Sequence, residues 1–114
     1  MTETLKKIVK ALDDLKLKDI VVYDFKGYSP LFDYMIISSG TSDRQVLASV
    51  NYIYQAVPEI HSKVEGASEG RWLLFDLGDI IVNVMHVEER EYYQIDKLFI
   101  QREKIELEEL LHEL

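Results

Sequence analysis

The sequence contains no cysteine. Disulfides, thiolate metal sites, iron–sulfur clusters and cysteine nucleophiles are thereby excluded. Proline and glycine are scarce, two and five among 114 residues, so no segment has the composition of a linker. No apolar stretch approaches the ~20 residues that cross a bilayer. The opening Met1-Thr-Glu-Thr-Leu-Lys-Lys lacks an apolar signal core, and its acidic residue speaks against a transit peptide. The expectation is a cytoplasmic protein. Positive charge is also in short supply: 13 Lys and Arg stand against 21 Asp and Glu, a formal net charge of −8. Nonspecific binding to nucleic acid needs a basic surface that displaces counterions, and an anionic membrane needs one as well. A basic partner suits this balance better.

What is present is an ordinary globular composition, 47% apolar and 30% charged. A chain of this length suits one domain, residues 1–114, and buries about two-thirds of its unfolded surface. Leu5, Ile8, Val9, Leu12 and Leu15 recur at helical spacing and predict a helix over 3–16. Ile20 to Phe25 is a short β-branched and aromatic run, read as a strand, and Lys26-Gly-Tyr-Ser-Pro30 is turn chemistry. Tyr34 to Ile37 reads as a strand buried on both faces. Ser42 is a helix N-cap with Gln45 completing a capping box, and Val46, Val50, Ile53, Tyr54 and Val57 form that helix's buried stripe. Pro58 follows its end. A short strand near Val64 is followed by two strands, Trp72–Phe75 and Ile80–Met85, joined by the tight turn Asp76-Leu-Gly-Asp79. Residues 88–100 predict short helical turns. Leu107, Leu110, Leu111 and Leu114 form a stripe that extends the chain as a C-terminal helix over 102–114. The sum is an α/β (α+β) fold with a mixed β-sheet flanked by helices.

Few residues offer catalytic chemistry. His61, His86 and His112 are far apart and lack a second ligand at metal spacing. Asp76 and Asp79 could share a metal or do acid–base work, but carboxylates beside a glycine in a tight turn usually bond their own backbone. Ser38-Ser-Gly-Thr-Ser42 leads into a helix N-terminus, a plausible anion site, yet it lacks the P-loop lysine and the glycine spacing of a dinucleotide fingerprint. No closely spaced acidic pair on a strand is available to hold two metals. The competing enzyme reading, nucleotidyl or phosphoryl transfer through Ser39, Asp76 and Asp79, lacks that pair. What remains is Arg71, Trp72, Arg90, Tyr92, Tyr93 and Phe99, residue types that dominate interface hot spots and also pack cores. A helical turn at Arg90-Glu-Tyr-Tyr93 is expected to bury one tyrosine and leave another accessible. The leucine stripe either packs on the sheet or makes a dimer contact; a dimerisation module is the third reading.

A resemblance gathers these pieces. Lys18-Asp19-Ile20, Asp24-Phe-Lys-Gly-Tyr-Ser, Asp33-Tyr-Met-Ile-Ile-Ser-Ser-Gly-Thr-Ser42 and Arg44-Gln45-Val46 are followed by Glu65-Gly66, Gly70-Arg-Trp72, Leu74-Phe-Asp76, Gly78-Asp79-Ile-Ile-Val82 and Arg90-Glu-Tyr-Tyr93 with Leu98. In this order and spacing, from Asp19 to about Phe99, the chain resembles the bacterial ribosomal silencing factor (Iojap-like) family. The resemblance implies a nucleotidyltransferase-like fold without its catalytic acids, no cofactor and no metal. It implies a translational repressor, not an enzyme, that binds the large ribosomal subunit through the fourteenth large-subunit ribosomal protein. There it blocks joining of the small subunit under nutrient limitation. It also implies a homodimer when free, with no specific nucleic acid as partner. Trp72, Asp76, Arg90 and Tyr93 match the family pattern in the region similar to its ribosome-facing part and are the expected partner-binding residues. Trp72 would supply apolar area. Asp76 would accept from a basic side chain or a turn amide. Arg90 and Tyr93 would fix the strand-to-helix segment or touch the partner. Asn83 stands where the family usually has His, and Phe99 where it usually has Trp.

Overall fold

The computed structural model describes residues 2–60 and 63–112; His61 and Leu114 of the sequence-level expectations lie outside the described residues. Along the chain run α1 (Thr2–Asp14), β1 (Lys18–Asp24), β2 (Tyr34–Gly40), α2 (Asp43–Ala56), β3 (Lys63–Glu65), β4 (Trp72–Asp76) and β5 (Ile80–His86). Then follow α3 (Val87–Tyr93), a 3-10 turn (Ile95–Phe99), β6 (Glu103–Ile105) and α4 (Leu107–His112). The six strands form one sheet in the order β3-β4-β5-β2-β1-β6. Among the described residues only the central pair β2–β5 is parallel; the other four pairings are antiparallel.

The two faces of the sheet are covered unequally. On one, the stripe Leu5, Ile8, Val9 and Leu12 of α1, Val46 and Ile53 of α2 and Leu110 of α4 meet Val22, Ile36, Leu73, Phe75, Val82 and Val84. This is the main core. On the other, a smaller cluster of Tyr23, Ile37 and Met85 is flanked by Phe25, Met35, Trp72, Ile95 and Phe99. The strap formed by α3 and the 3-10 turn lies over it, and neither piece has a buried residue of its own. Alternation along each strand sends neighbours to opposite faces, so β2 and β5, central and covered on both sides, read as continuous apolar runs.

The start of α2 shows how local chemistry sets the packing. The Ser42 hydroxyl accepts from the Gln45 N–H at 3.1 Å, as an N-cap does. The Gln45 side-chain oxygen accepts from the Thr41 N–H at 2.8 Å, one residue earlier than the capping box predicts. Its amide donates to the carbonyls of Leu15 and Lys16 at 3.1 and 3.3 Å, tying α2 to the end of α1. The predicted stripe of α2 needs one correction. Tyr54 is 44% exposed, and Ser49 is the buried residue instead, its hydroxyl donating to the Val46 carbonyl at 2.6 Å.

The C-terminal expectation also needs correction. Residues 103–105 are not helical: β6 pairs Ile105 with Val22, Lys104 with Tyr23 and Glu103 with Asp24. The outer edge of β1 would otherwise leave backbone groups unpaired, and three residues of strand satisfy them. Among the described residues the C-terminal helix covers Leu107–His112, and Leu110 seals its stripe into the main core.

Gly66 closes the turn between β3 and β4. Its φ is +87°, and a Cβ there would land on the Trp72 carbonyl oxygen. Gly78, in the turn before β5, has φ +88° but open space around it. Gly66→Ala is therefore expected to cost about 2–3 kcal/mol from strain plus clash, and Gly78→Ala about 1 kcal/mol from strain alone. Urea midpoints of the two variants check this; equal costs would mean that the carbonyl contact does not matter.

Candidate contact surface

The candidate residues lie on and around the thinly covered face. Trp72 opens β4 and points to that side, with Leu73 and Phe75 on the other. Its indole N–H donates to the Asn83 side-chain oxygen on β5 at 2.9 Å. Asn83 is 3% exposed, so a buried acceptor orients the indole. The Tyr93 ring lies 5.3 Å from Trp72 and the Tyr92 ring 4.9 Å from Tyr93. The expectation that one of these tyrosines is buried is not met. Tyr92 is 78% and Tyr93 51% exposed. A seven-residue helix with no buried side chain presents both outward.

Arg71, beside Trp72, carries the acidic rim. Its guanidinium donates to Glu88 at 2.8 Å, to Glu89 at 3.1 Å and to Asp43 at 3.2 Å, joining the starts of α2 and α3. Hydrogen bonding from Arg71 holds the Glu88 carboxyl below the usual carboxylate range. One cation among three carboxylates leaves this rim negative. The chain's charge is segregated in the same direction. Residues 1–58 carry seven basic and seven acidic side chains, whereas residues 59–114 carry six and fourteen and so account for the whole −8.

Arg90 is turned inward. Its side chain is 13% exposed. Its Nε and one terminal nitrogen donate to both Asp96 carboxylate oxygens at 2.9 and 3.0 Å. The other terminal nitrogen donates to the Asp19 carbonyl of β1 at 2.7 Å and the Ser39 hydroxyl of β2 at 3.0 Å. The Tyr23 hydroxyl donates to the same Asp96 at 3.0 Å. This polar latch fastens the strap to the sheet. Through these bonds Arg90 fixes the segment after β5. Burial works against the Asp96 carboxylate, but the Arg90 hydrogen bonds and charge outweigh it and hold this carboxyl below its usual range.

Burial, then the bond to Asp96, pushes the Tyr23 phenol up from 10.0 to about 12. Because the folded value is raised, the stability it contributes is intact below pH 10 and is lost as pH rises towards 12. In an alkaline absorbance titration, a late tyrosinate signal near pH 12 is expected and should vanish in Tyr23→Phe. Survival of the late signal in Tyr23→Phe would contradict the latch.

The remaining candidates separate. Asp76 shares its sheet face with Trp72 but sits four residues along β4, about 13 Å away. One oxygen accepts from the Gly78 N–H at 3.0 Å, the turn role, and the side chain remains exposed. His86 ends β5 and caps α3, its Nδ1 accepting from the Glu88 N–H at 3.1 Å. Phe99 is not part of the Trp72 patch; it packs on Tyr23 and Phe25 at 5.5 and 5.4 Å. Among the described residues no three His, Asp or Glu side chains converge as metal ligands. Sequence reading missed Tyr23, Asp96 and the carboxylates around Arg71. Apart from the six-residue spacing of Arg90 and Asp96, nothing local marks them.

Fold and site together define a small mixed α/β protein with an aromatic patch, an acidic rim and a strap latched beside them. The family model described as "Ribosomal silencing factor during starvation" matches residues 1–113, beyond both ends of the motifs that carry the resemblance. Ribosomal silencing factor RsfS of Bacillus subtilis is 42% identical over 98 residues, 83% of each chain. A crystal structure from Bacillus halodurans superposes with a TM-score of 0.81 at 36% identity, over 93% of this chain and 99% of that one. The mouse "Mitochondrial assembly of ribosomal large subunit protein 1" is 31% identical over 101 residues, 83% of this chain and 44% of its own length. The chain belongs to the ribosomal silencing factor family, RsfS. Its role is accordingly regulatory and directed at the ribosome.

Proposed function

We propose that this protein is a non-enzymatic, cytoplasmic translational repressor. It binds the large ribosomal subunit through the fourteenth large-subunit ribosomal protein and so keeps the small subunit from joining when nutrients are scarce. One observation carries this reading: half-buried Trp72 and exposed Tyr93 form an aromatic pair beside an acidic rim, in the half of the chain that holds all the net charge. A ribosomal protein surface is basic, so the charges are complementary. The mouse relative's name, which speaks of the ribosomal large subunit, supports the choice of subunit. Trp72 and Tyr93 touch the partner, Asp76 adds acceptor capacity at the rim of the face, and Arg90 holds the strap that presents Tyr93. The chain acts as one domain and pairs with a second copy when free.

The mechanism is steric. With a radius of gyration of 12.9 Å, the bound protein is wide enough to occupy a standard interface of about 800 Å² and to stand between two larger bodies. The test is co-sedimentation with isolated large subunits at low and moderate salt, followed by addition of small subunits. The expected result is saturable pelleting, reduced joining and weaker binding as salt rises. No pelleting at either salt, or pelleting without any loss of joining, overturns the proposal.

A further inference from the structure

The other end of the strap carries a surface of opposite character. Between the turn after β1 and the end of the 3-10 turn lies an open groove of about 610 Å³. Its floor is aromatic: Phe25 lies 5.0 Å from Phe32 and 5.4 Å from Phe99. Its walls are apolar and open to water, with Tyr28 67%, Leu98 76% and Ile100 77% exposed. The walls are also preformed. The Phe25 N–H donates to the Asp33 carbonyl at 2.7 Å, the Tyr28 and Ser29 N–H groups donate to the Phe25 carbonyl, and the Leu31 N–H donates to the Ser29 hydroxyl. On the facing side the Arg102 N–H donates to the Phe99 carbonyl at 2.9 Å. An apolar trough held open by its own backbone bonds needs little reordering before it binds.

The charged residues lining this trough are both cations, Lys97 and Arg102. Neither pairs with a carboxylate among the described residues. The Arg102 guanidinium lies over the Tyr28 ring at 3.5 Å. Arg71 and Arg90, by contrast, are engaged with carboxylates of their own chain. Unpaired cations around an exposed apolar groove, in a half-chain with fourteen acidic residues, mark a surface with a distinct partner.

We propose that this groove is a second docking surface, separate from the Trp72–Tyr93 face, and that its occupant is an acidic, apolar segment of a protein. Leucine or phenylalanine side chains fill the trough, and glutamates or aspartates meet Lys97 and Arg102. The exposed aliphatic walls favour a protein over a nucleic acid. A stacking platform needs free ring faces, and one face of Tyr28 is already covered by Arg102.

The probes are short fluorescent peptides in which leucine and phenylalanine alternate with glutamate and aspartate. The same peptides with lysine at every acidic position, and single-stranded oligouridylate, serve as competitors. Saturable binding of the acidic peptides is expected by anisotropy, with amide shifts in the full-length protein centred on Tyr28, Leu98 and Ile100. Lys97→Glu with Arg102→Glu should weaken it about tenfold or more, and Leu98→Ser with Ile100→Ser likewise. Lys97, Leu98 and Ile100 are exposed and Arg102 is half-buried, and circular dichroism checks that the variants remain folded. Equal binding of the lysine peptides or of oligouridylate overturns the proposal. So does a failure of both double variants to weaken binding, or a sedimentation result in which Leu98→Ser with Ile100→Ser converts a dimer into a monomer. None of these outcomes bears on large-subunit pelleting, so this groove and the Trp72–Tyr93 face stand or fall separately.

Discussion

Replacing Arg90 with alanine is expected to remove about 3 kcal/mol of stability, a large share of the 5–15 kcal/mol typical of a domain. The loss has three parts. Asp96 keeps a carboxylate that is only 35% exposed and no longer paired. The Asp19 carbonyl and the Ser39 hydroxyl lose their donor. The strap, with no buried side chain of its own, loses its main attachment to the sheet. The value sits at the low end for a broken buried pair because Asp96 retains some water. Arg90→Lys should recover only part of it, since an ammonium cannot match both Asp96 oxygens and reach two strands as well. A double-mutant cycle with Asp96→Asn should show strong coupling. The effect should shrink in acid: Asp96 is held below the usual carboxylate range, so the stability it adds is present above that range and is lost as pH falls through its lowered value. Denaturant midpoints at neutral and acidic pH measure all of this. An Arg90→Ala protein as stable as the parent would remove the latch from the account.

Trp72→Ala should weaken binding to the large subunit by about 2 kcal/mol or more, roughly 30-fold in affinity. The indole is held in place by Asn83 and Tyr93 before any partner arrives, so little of its contact area is spent on ordering. Trp72→Phe keeps the ring stacking on Tyr93 but loses the bond to Asn83, and an intermediate loss is expected. Tyr93→Ala should lose less than Trp72→Ala, and the two losses should not add, because the rings touch. Asp76→Asn should change affinity least of the candidates while leaving the β4–β5 turn intact, since an amide oxygen still accepts from Gly78. Titration of labelled variants against isolated large subunits gives the ranking. Normal binding by folded Trp72→Ala would place the contact on another face.

Periodicity carried most of the fold. The stripe of α1, the Ser42 cap, the Asp76–Asp79 turn and the strands β2, β4 and β5 were legible because each rests on spacing within a few residues. β6 was not. Glu103-Lys-Ile105 is too short to alternate, and the leucines that follow extend a helical pattern back over it. What places these three residues in the sheet is the open edge of β1, about eighty residues earlier in the chain. The Trp72 patch was half legible. Residue type singled out Trp72 and Tyr93, but the assignment of Arg90 depended on Ser39 and Asp19, 51 and 71 residues away. Phe99 and Trp72 read alike in the sequence because both are aromatic and late in the chain. The strap separates them by running from one side of the sheet to the other.

Among the described residues the sheet ends in three-residue strands, β3 on one side and β6 on the other. Each carries a lysine and a glutamate, and where β1 runs past β6 it is irregular, with Asp19 at φ +49° and its carbonyl already taken by Arg90. Short, charged and kinked borders are poor templates for adding another chain's backbone. The molecule can therefore stay concentrated without stacking sheet upon sheet into fibres.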